Sequence, residues 1–301
     1  MTPTVREWAA EVARPEGDEL LVVVGPTASG KSDLAMALCQ RFDAELVGAD
    51  SVQIYRHFDI GSGKPSDDER RRVPHHLVDV VEPDDPLDAA RFVALADEAI
   101  AAIRGRGRIP VVCGGTFLWI KALLHGLAPS APKDPRVRAE HTAFVDEHGR
   151  RALHDRLREV DPDSAARLAP NDFVRVSRSL EVYEVTGKTQ TAWHAEHRFA
   201  EVRHRARLLG VTRSREELDE RIARRTASWL AGGWLDEVRD LIARGYRDTR
   251  PMDSVGYRQV REHLEGKLAE DELRPAIVRA TRTFVRRQRT WLRDQPVTWL
   301  G

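Results

Sequence analysis

A lysine and a serine close the octapeptide GPTASGKS, Gly25 to Ser32. The pattern G-x-x-x-x-G-K-[ST], set after an apolar run and before a helical pattern, is that of a phosphate-binding loop. Gly25 and Gly30 let the backbone curl so that successive N–H groups converge, and a helix beginning near Lys31 adds its positive end. Lys31 supplies a full charge and Ser32 a hydroxyl for a magnesium ion. The whole loop, Gly25, Pro26, Thr27, Ala28, Ser29, Gly30, Lys31 and Ser32, therefore marks a polyphosphate site and leaves open which polyphosphate it holds.

A second constellation begins where the second apolar run ends, at Asp50 in ADSVQIYRHFDIGSGKP. In an open parallel sheet the carboxyl ends of adjacent strands line the ligand crevice, so Asp50 is expected near the loop. An acid there holds magnesium, accepts a proton, or caps a turn, and spacing alone leaves these three roles open. Glycines 61 and 63 and Lys64 add to the same rim. The GGT at 114 to 116 ends another strand there and brings backbone donors and the Thr116 hydroxyl. No acid directly follows PVVC, so the strand-end magnesium acid common in ATP hydrolases is missing, which weakens an ATPase and leaves a small kinase open. His75 and His76 have no cysteine or acid at metal-ligand spacing and read as structural.

The elements that must position these groups follow from periodicity. Apolar runs at 20–25, 44–50, 76–81 and 109–115 read as buried strands, and 30–41, 87–105 and 116–124 as helices. The alternation is that of an α/β fold with a largely parallel sheet. A further strand, 206–212, comes only after a long interval. From about Leu127 the chain is proline-rich and then helical in pattern, so 127–200 is expected to be a helical insertion in a core formed by 1–126 and 201–301. The last third reads as helices over 215–244, 253–265 and 270–293, punctuated by Gly245 and Pro251.

With 301 residues and 41% hydrophobic content the chain can bury a substantial core. Its formal net charge is zero, so a nucleic-acid partner must be met by a local basic surface. Two cysteines, Cys39 and Cys113, give neither a disulfide framework nor a zinc site and point to a reducing interior. The N-terminal stretch lacks a signal-peptide pattern and no apolar run approaches the ~20 residues that span a bilayer. A cytoplasmic protein without membrane contact is expected. On the last helix Arg279, Arg282, Arg286, Arg289 and Arg293 share one face, opposite Ile277, Phe284 and Trp291. Seven arginines and no acid between Arg274 and Arg293 suit contact with a phosphate backbone better than a mixed solvated face.

In combination these segments resemble the bacterial tRNA dimethylallyltransferases, also called tRNA isopentenyltransferases. The likeness spans nearly the whole chain: GPTASGKS, DSVQIYRHFDIGSGKP, PHHLVD (74–79), GGTFLWIKALLHGL (114–127), DPRVR (134–138), NDFVRVSRSLEVYEVTGK (171–188), SVGYRQ (254–259) and ATRTFVRRQRTWLR (280–293). The resemblance implies a P-loop, nucleotide-kinase-like α/β core with an inserted helical domain. It implies transfer of the dimethylallyl group of dimethylallyl diphosphate to N6 of the adenosine just 3′ of the anticodon, with release of diphosphate. The loop and Mg2+ would then hold an isoprenoid diphosphate where a kinase holds ATP, with Arg221 and Arg225, one helical turn apart, closing over it. Asp50 would be the general base and Thr116 would assist at the leaving group or the base, while Ser51, Val52 and Gln53 follow in the base-contacting stretch. Arg138, the run Val174, Arg175, Val176, Ser177 and Arg178, and Arg282 and Arg286 would hold the anticodon stem-loop by its phosphates. Arg175 and Arg178 equally suit ion pairs within the insertion. Phe117, Leu118 and Trp119 stand where the family often has glycine, leucine and tyrosine, which removes any contact of that tyrosine hydroxyl. The resemblance also implies a monomer.

The principal rival is an ATP-dependent small-molecule or nucleoside kinase on the same loop, since fold alone does not separate the two. A third reading is a nucleotide-switched RNA-binding protein. The arginine stripe and the long insertion favour an RNA substrate, and Asp50 favours catalysis over binding alone.

Overall fold

The computed structural model describes residues 4–85, 87–127, 133–197 and 202–301. Two compact units divide the chain: Met1–Leu124 with His204–Gly301, and His125–Arg203 between them.

The first unit is built on a six-stranded sheet in the order β3-β2-β4-β1-β5-β6, every pair parallel. Its strands are β1 (Leu20–Val24), β2 (Ala44–Ala49), β3 (His75–His76), β4 (Ile109–Gly114), β5 (Ala206–Val211) and β6 (Val297–Leu300). The helices are α1 (Val5–Glu11), α2 (Lys31–Phe42), α3 (Asp67–Arg72), α4 (Ala89–Gly105) and α5 (Phe117–His125), then α10 (Arg215–Ala231), α11 (Trp234–Ala243), α12 (Tyr257–Leu264) and α13 (Glu270–Arg293). The apolar runs are continuous because both faces of the sheet are covered. Leu20, Val22 and Val24 enter one core with Phe92, Trp119 and Ile277, while Leu21 and Val23 enter the other with Leu34, Leu38 and Cys39. Each such fully buried side chain contributes roughly 1.5–3 kcal/mol.

The second unit is helical: α6 (Pro135–Val160), α7 (Pro162–Arg167), α8 (Phe173–Thr186) and α9 (Gln190–His197). Gly149, at φ 82°, kinks α6. Its small core gathers Leu153, Leu157, Ala165, Val176 and Leu180.

Two expectations are corrected by local geometry. The run 76–81 yields only the two-residue β3, because Leu77 and Asp79 adopt left-handed backbone (φ 60° and 59°) that ends pairing. The helix expected over 215–244 is broken into α10 and α11 at Gly232 and Gly233, the latter at φ 96°. On α13 the buried stripe is Leu273, Ile277, Val278, Thr281, Val285, Gln288 and Leu292, while Phe284 and Trp291, opposite the arginines, are exposed.

Candidate active site

Topology brings three strand ends together. Val24 and Ala49 both pair in register with Gly114, so Gly25, Asp50 and Gly115 emerge side by side from β1, β2 and β4. The approach is close: a β-carbon on Gly114 would lie 2.1 Å from the Ala49 carbonyl oxygen.

The phosphate loop is held open from outside. Ala28 (φ 67°) and Gly30 (φ 97°) take left-handed conformations, a backbone alternation that turns N–H groups inward. The carbonyl of Ala28 accepts from Arg221 Nε at 2.7 Å and that of Ser29 from Arg213 Nε at 3.2 Å, while Gln288 Oε1 accepts the Thr27 N–H at 2.8 Å. Gly25 is required by space, since a β-carbon there would meet Ser29 Oγ at 2.6 Å. Helix α2 starts at Lys31 with no side-chain cap, so its first N–H groups have no intrahelical acceptor.

Positive charge accumulates around this cradle. Arg225 lies 4.4 Å over the Trp229 ring, and burial lowers its pKa to about 10, opposed by Asp50 and reinforced by Arg221. Burial likewise lowers the Lys31 ammonium from its ordinary value. Both groups gain when an anion arrives. Ser32 lines the same space, a cavity of about 460 Å³ bounded also by Thr27, Asp50, Thr116, Trp229 and Gln288. A second cavity of about 510 Å³ shares Lys31, Ser32 and Arg225 with it and adds Ala28, Gly30 and Arg221.

Asp50 is oriented by its own turn. Oδ1 accepts the N–H groups of Val52 (2.9 Å) and Gln53 (3.2 Å), and Oδ2 accepts nothing among the described residues. The capping role therefore occupies one oxygen and leaves the other toward the cavity. Thr116 Oγ1 accepts the Ser51 N–H at 3.0 Å, which leaves its proton to donate. Gln53 donates to the carbonyls of Ser62 (3.1 Å) and Gly63 (3.0 Å), so its amide nitrogen fixes the neighbouring loop rather than a ligand. Lys64 is on the rim as expected, but its ammonium is buried between Asp59 and Asp79 and so offers no free charge. His75 borders the cavity with its pKa lowered by burial, and His76 pairs with Glu45 at 2.6 Å. No cluster of three His, Cys, Asp or Glu residues able to hold a metal occurs among the described residues.

Some groups bordering the cavity escape sequence reasoning. Gln288 bridges Thr27 to the Gly115 carbonyl, which accepts from Nε2 at 3.2 Å. Its signal was readable, as a neutral residue in register with the apolar stripe of an arginine-rich helix. Trp234 packs so closely on Gly61 that a β-carbon there would sit 2.2 Å from the ring, and such a contact leaves no local signature.

The residues expected to grip RNA fare unevenly. In the helical unit Val174 is 75% exposed, but Val176 is buried in the core and Ser177 is buried against His141 Nδ1 at 2.9 Å. Both are corrected: neither side chain reaches a surface partner. Arg138 forks onto Glu181 through Nε (2.9 Å) and Nη2 (2.8 Å), Arg178 joins the same carboxylate at 2.6 Å, and Arg175 pairs with Asp172. In the core unit Arg282 pairs with Asp219 at 2.9 Å and Arg286 donates to Thr283 Oγ1 at 3.0 Å.

Residues 53–295 match the family model described as IPP transferase, and 18–78 one described as isopentenyl transferase. The tRNA dimethylallyltransferase of Sorangium cellulosum (strain So ce56) is 67% identical over 290 residues, 96% of this chain and 92% of that protein. That of Myxococcus xanthus (strain DK1622) is 45% identical over 277 residues, 92% and 90% of the two chains. Among solved structures, the tRNA isopentenylpyrophosphate transferase of Bacillus halodurans superposes with TM-score 0.69 at 35% identity, covering 94% of this chain and 90% of that one. A eukaryotic dimethylallyltransferase acting on tRNA reaches TM-score 0.77 at 27% identity, covering 92% and 70%. With a phosphate loop, an oriented acid and a hydroxyl at three adjacent strand ends, and with likeness along nearly its whole length, the chain belongs to the IPP transferase family of tRNA dimethylallyltransferases.

Proposed function

We propose that the chain transfers the dimethylallyl group of dimethylallyl diphosphate to N6 of the adenosine immediately 3′ of the anticodon in tRNA, releasing diphosphate. The observation that carries this reading is the convergence of Asp50 Oδ2, the Thr116 hydroxyl and the phosphate loop on one cavity. Diphosphate sits on the loop, neutralised by Lys31 and Arg225, with Arg221 bracing the loop from outside. N6 attacks the allylic carbon, the carbon–oxygen bond breaks, and its electron pair leaves on diphosphate. Asp50 Oδ2 takes the N6 proton as the carbon–nitrogen bond forms, and its hydrogen bond orients the amine. Thr116, held by Ser51, donates toward the leaving group or the base. Ser51, Val52 and Gln53 shape the turn that presents Asp50.

Magnesium fits this donor set, since a hard cation is held mainly by diphosphate oxygens and needs few protein ligands. Ser32 would be its protein ligand, and the ion would add charge neutralisation of the leaving group. The helical unit takes the role of supporting the anticodon stem-loop through the exposed Arg175, with Arg282 and Arg286 adding phosphate contacts from the core, while Arg138 and Arg178, bound to Glu181, hold the helical unit together. A cytoplasmic monomer accords with this reading. Among the described residues no helix is long and apolar enough to cross a membrane. A kinase on the same loop is not favoured.

The test supplies the chain and magnesium with unmodified tRNA, dimethylallyl diphosphate labelled in its carbon chain, and separately γ-labelled ATP. Label is expected to pass from the isoprenoid to tRNA. Transfer from ATP alone would overturn the reading.

A further inference from the structure

Two aromatic rings on α13 stand in water on the side opposite the arginine stripe. Phe284 is 38% and Trp291 49% exposed, although burying rings of this size is worth roughly 1.5–3 kcal/mol each. Phe284 and Arg287 border the 460 Å³ cavity, and Trp291 follows Arg287 by one helical turn on the same side of the helix. The face is fixed in place, because Gln288 between them ties α13 to Thr27 and Gly115. Arg287 makes no ion pair or hydrogen bond among the described residues, while Arg279, Arg286, Arg289 and Arg293 lie exposed on the opposite face of the helix.

A surface that contacts phosphates only has no use for exposed rings. Two rings flanking a guanidinium group at the mouth of a cavity are the chemistry of unstacked nucleobases, which every base satisfies through its π-face. A second copy of this chain fits poorly, since a twofold contact would set the unpaired Arg287 against its own image. Phe284 and Trp291 are about 10 Å apart along the helix axis at 1.5 Å per residue, room for two bases beside one drawn into the cavity.

We propose that Phe284, Arg287 and Trp291 form a ledge on which the unpaired nucleotides flanking the target adenosine stack. It rests on the transferase reading and deepens it: the ledge selects a splayed single-stranded loop, because bases locked in a helix cannot reach it. These are positioning residues, and they act by holding the neighbours so that the target base enters the cavity.

The test uses the full chain and anticodon stem-loop RNAs carrying 2-aminopurine on the 5′ or 3′ side of the target adenosine. Binding to the native chain is expected to quench at least one of the two probes. Trp291→Ala and Phe284→Ala are each expected to raise KM for the RNA about tenfold, with KM for dimethylallyl diphosphate unmoved. Trp291→Phe restores most of the loss and Trp291→Leu, equally apolar but without a π-face, does not. No quench on the native chain overturns the proposal. So does an RNA KM within twofold of native in both alanine variants, or equal rescue by leucine and phenylalanine, or a native dimer that Trp291→Ala dissociates. If the native chain alkylates RNA while the probes stay bright, the ledge fails alone; if it alkylates no RNA, the transferase reading fails with it.

Discussion

Arg221 and Arg225 in the core unit and Arg138 and Arg178 in the helical unit are alike as sequence, arginines on helices, and opposite in circumstance. Arg138 and Arg178 converge on Glu181, a fully buried carboxylate that also accepts the Asp134 N–H. Burial alone would raise that carboxyl, and the two guanidinium groups more than reverse this and hold its pKa at about 2. Arg221 spends its Nε on a loop carbonyl, and burial, reinforced by Arg221, pushes Arg225 down to about 10. One set of charges is internally balanced and stabilises a small helical core. The other is left in excess at a cavity, offset in part by Asp50, and gains further from an incoming anion. The difference between a structural and a functional arginine lies in the partner, which charge counting along the chain does not supply.

This contrast can be broken in descending steps. Asp50→Asn keeps the oxygen that accepts from Val52 and Gln53 but loses the proton acceptor. Its kcat is expected to fall roughly 10²–10⁴-fold with RNA affinity unchanged, measured by single-turnover transfer and RNA binding. Lys31→Ala removes excess charge at the cradle, so KM for dimethylallyl diphosphate should rise about 10- to 100-fold. In the helical unit Glu181→Gln should leave that KM alone and lower stability by about 3 kcal/mol, read from denaturant unfolding of the full chain.

The pH dependence carries the same signature. Glu181 has a folded pKa below its unfolded value of 4.5, so its contribution is complete above about pH 5 and is lost as pH falls toward 2. Native thermal stability should drop through that window more steeply than that of Glu181→Gln, and parallel curves would remove the buried carboxylate from the account. The smallest effect is expected at Arg282→Ala, whose exposed pair with Asp219 is worth less than about 1 kcal/mol; its stability should be unchanged within error.

Much of the site was readable before the fold. The phosphate loop, Asp50 and the GGT turn are short segments whose residue types and spacing fix their chemistry, and apolar runs place them at strand ends. What escaped depends on partners distant in sequence. Glu181 neutralises Arg138 across 43 residues, and Gln288 reaches Thr27 across 261. Local backbone was a second limit, since nothing in the apolar pattern of 76–81 announces left-handed turns at Leu77 and Asp79. The faces of α13 follow from its periodicity, whereas its seat does not: the helix packs through Thr281 and Gln288, polar residues without an apolar signal, and leaves Phe284 and Trp291 exposed.

The central claim, that the excess charge and free carboxylate of the core unit serve alkyl transfer to RNA, is tested most directly by the product. Unmodified tRNA is incubated with the chain, magnesium and dimethylallyl diphosphate, then digested to nucleosides and analysed by mass spectrometry. A dimethylallyl group on N6 of the adenosine 3′ of the anticodon, formed roughly 10²–10⁴-fold more slowly when Asp50→Asn replaces the native chain, is the predicted result. Unaltered adenosine, or equal rates of product formation by native and Asp50→Asn chains, would contradict it.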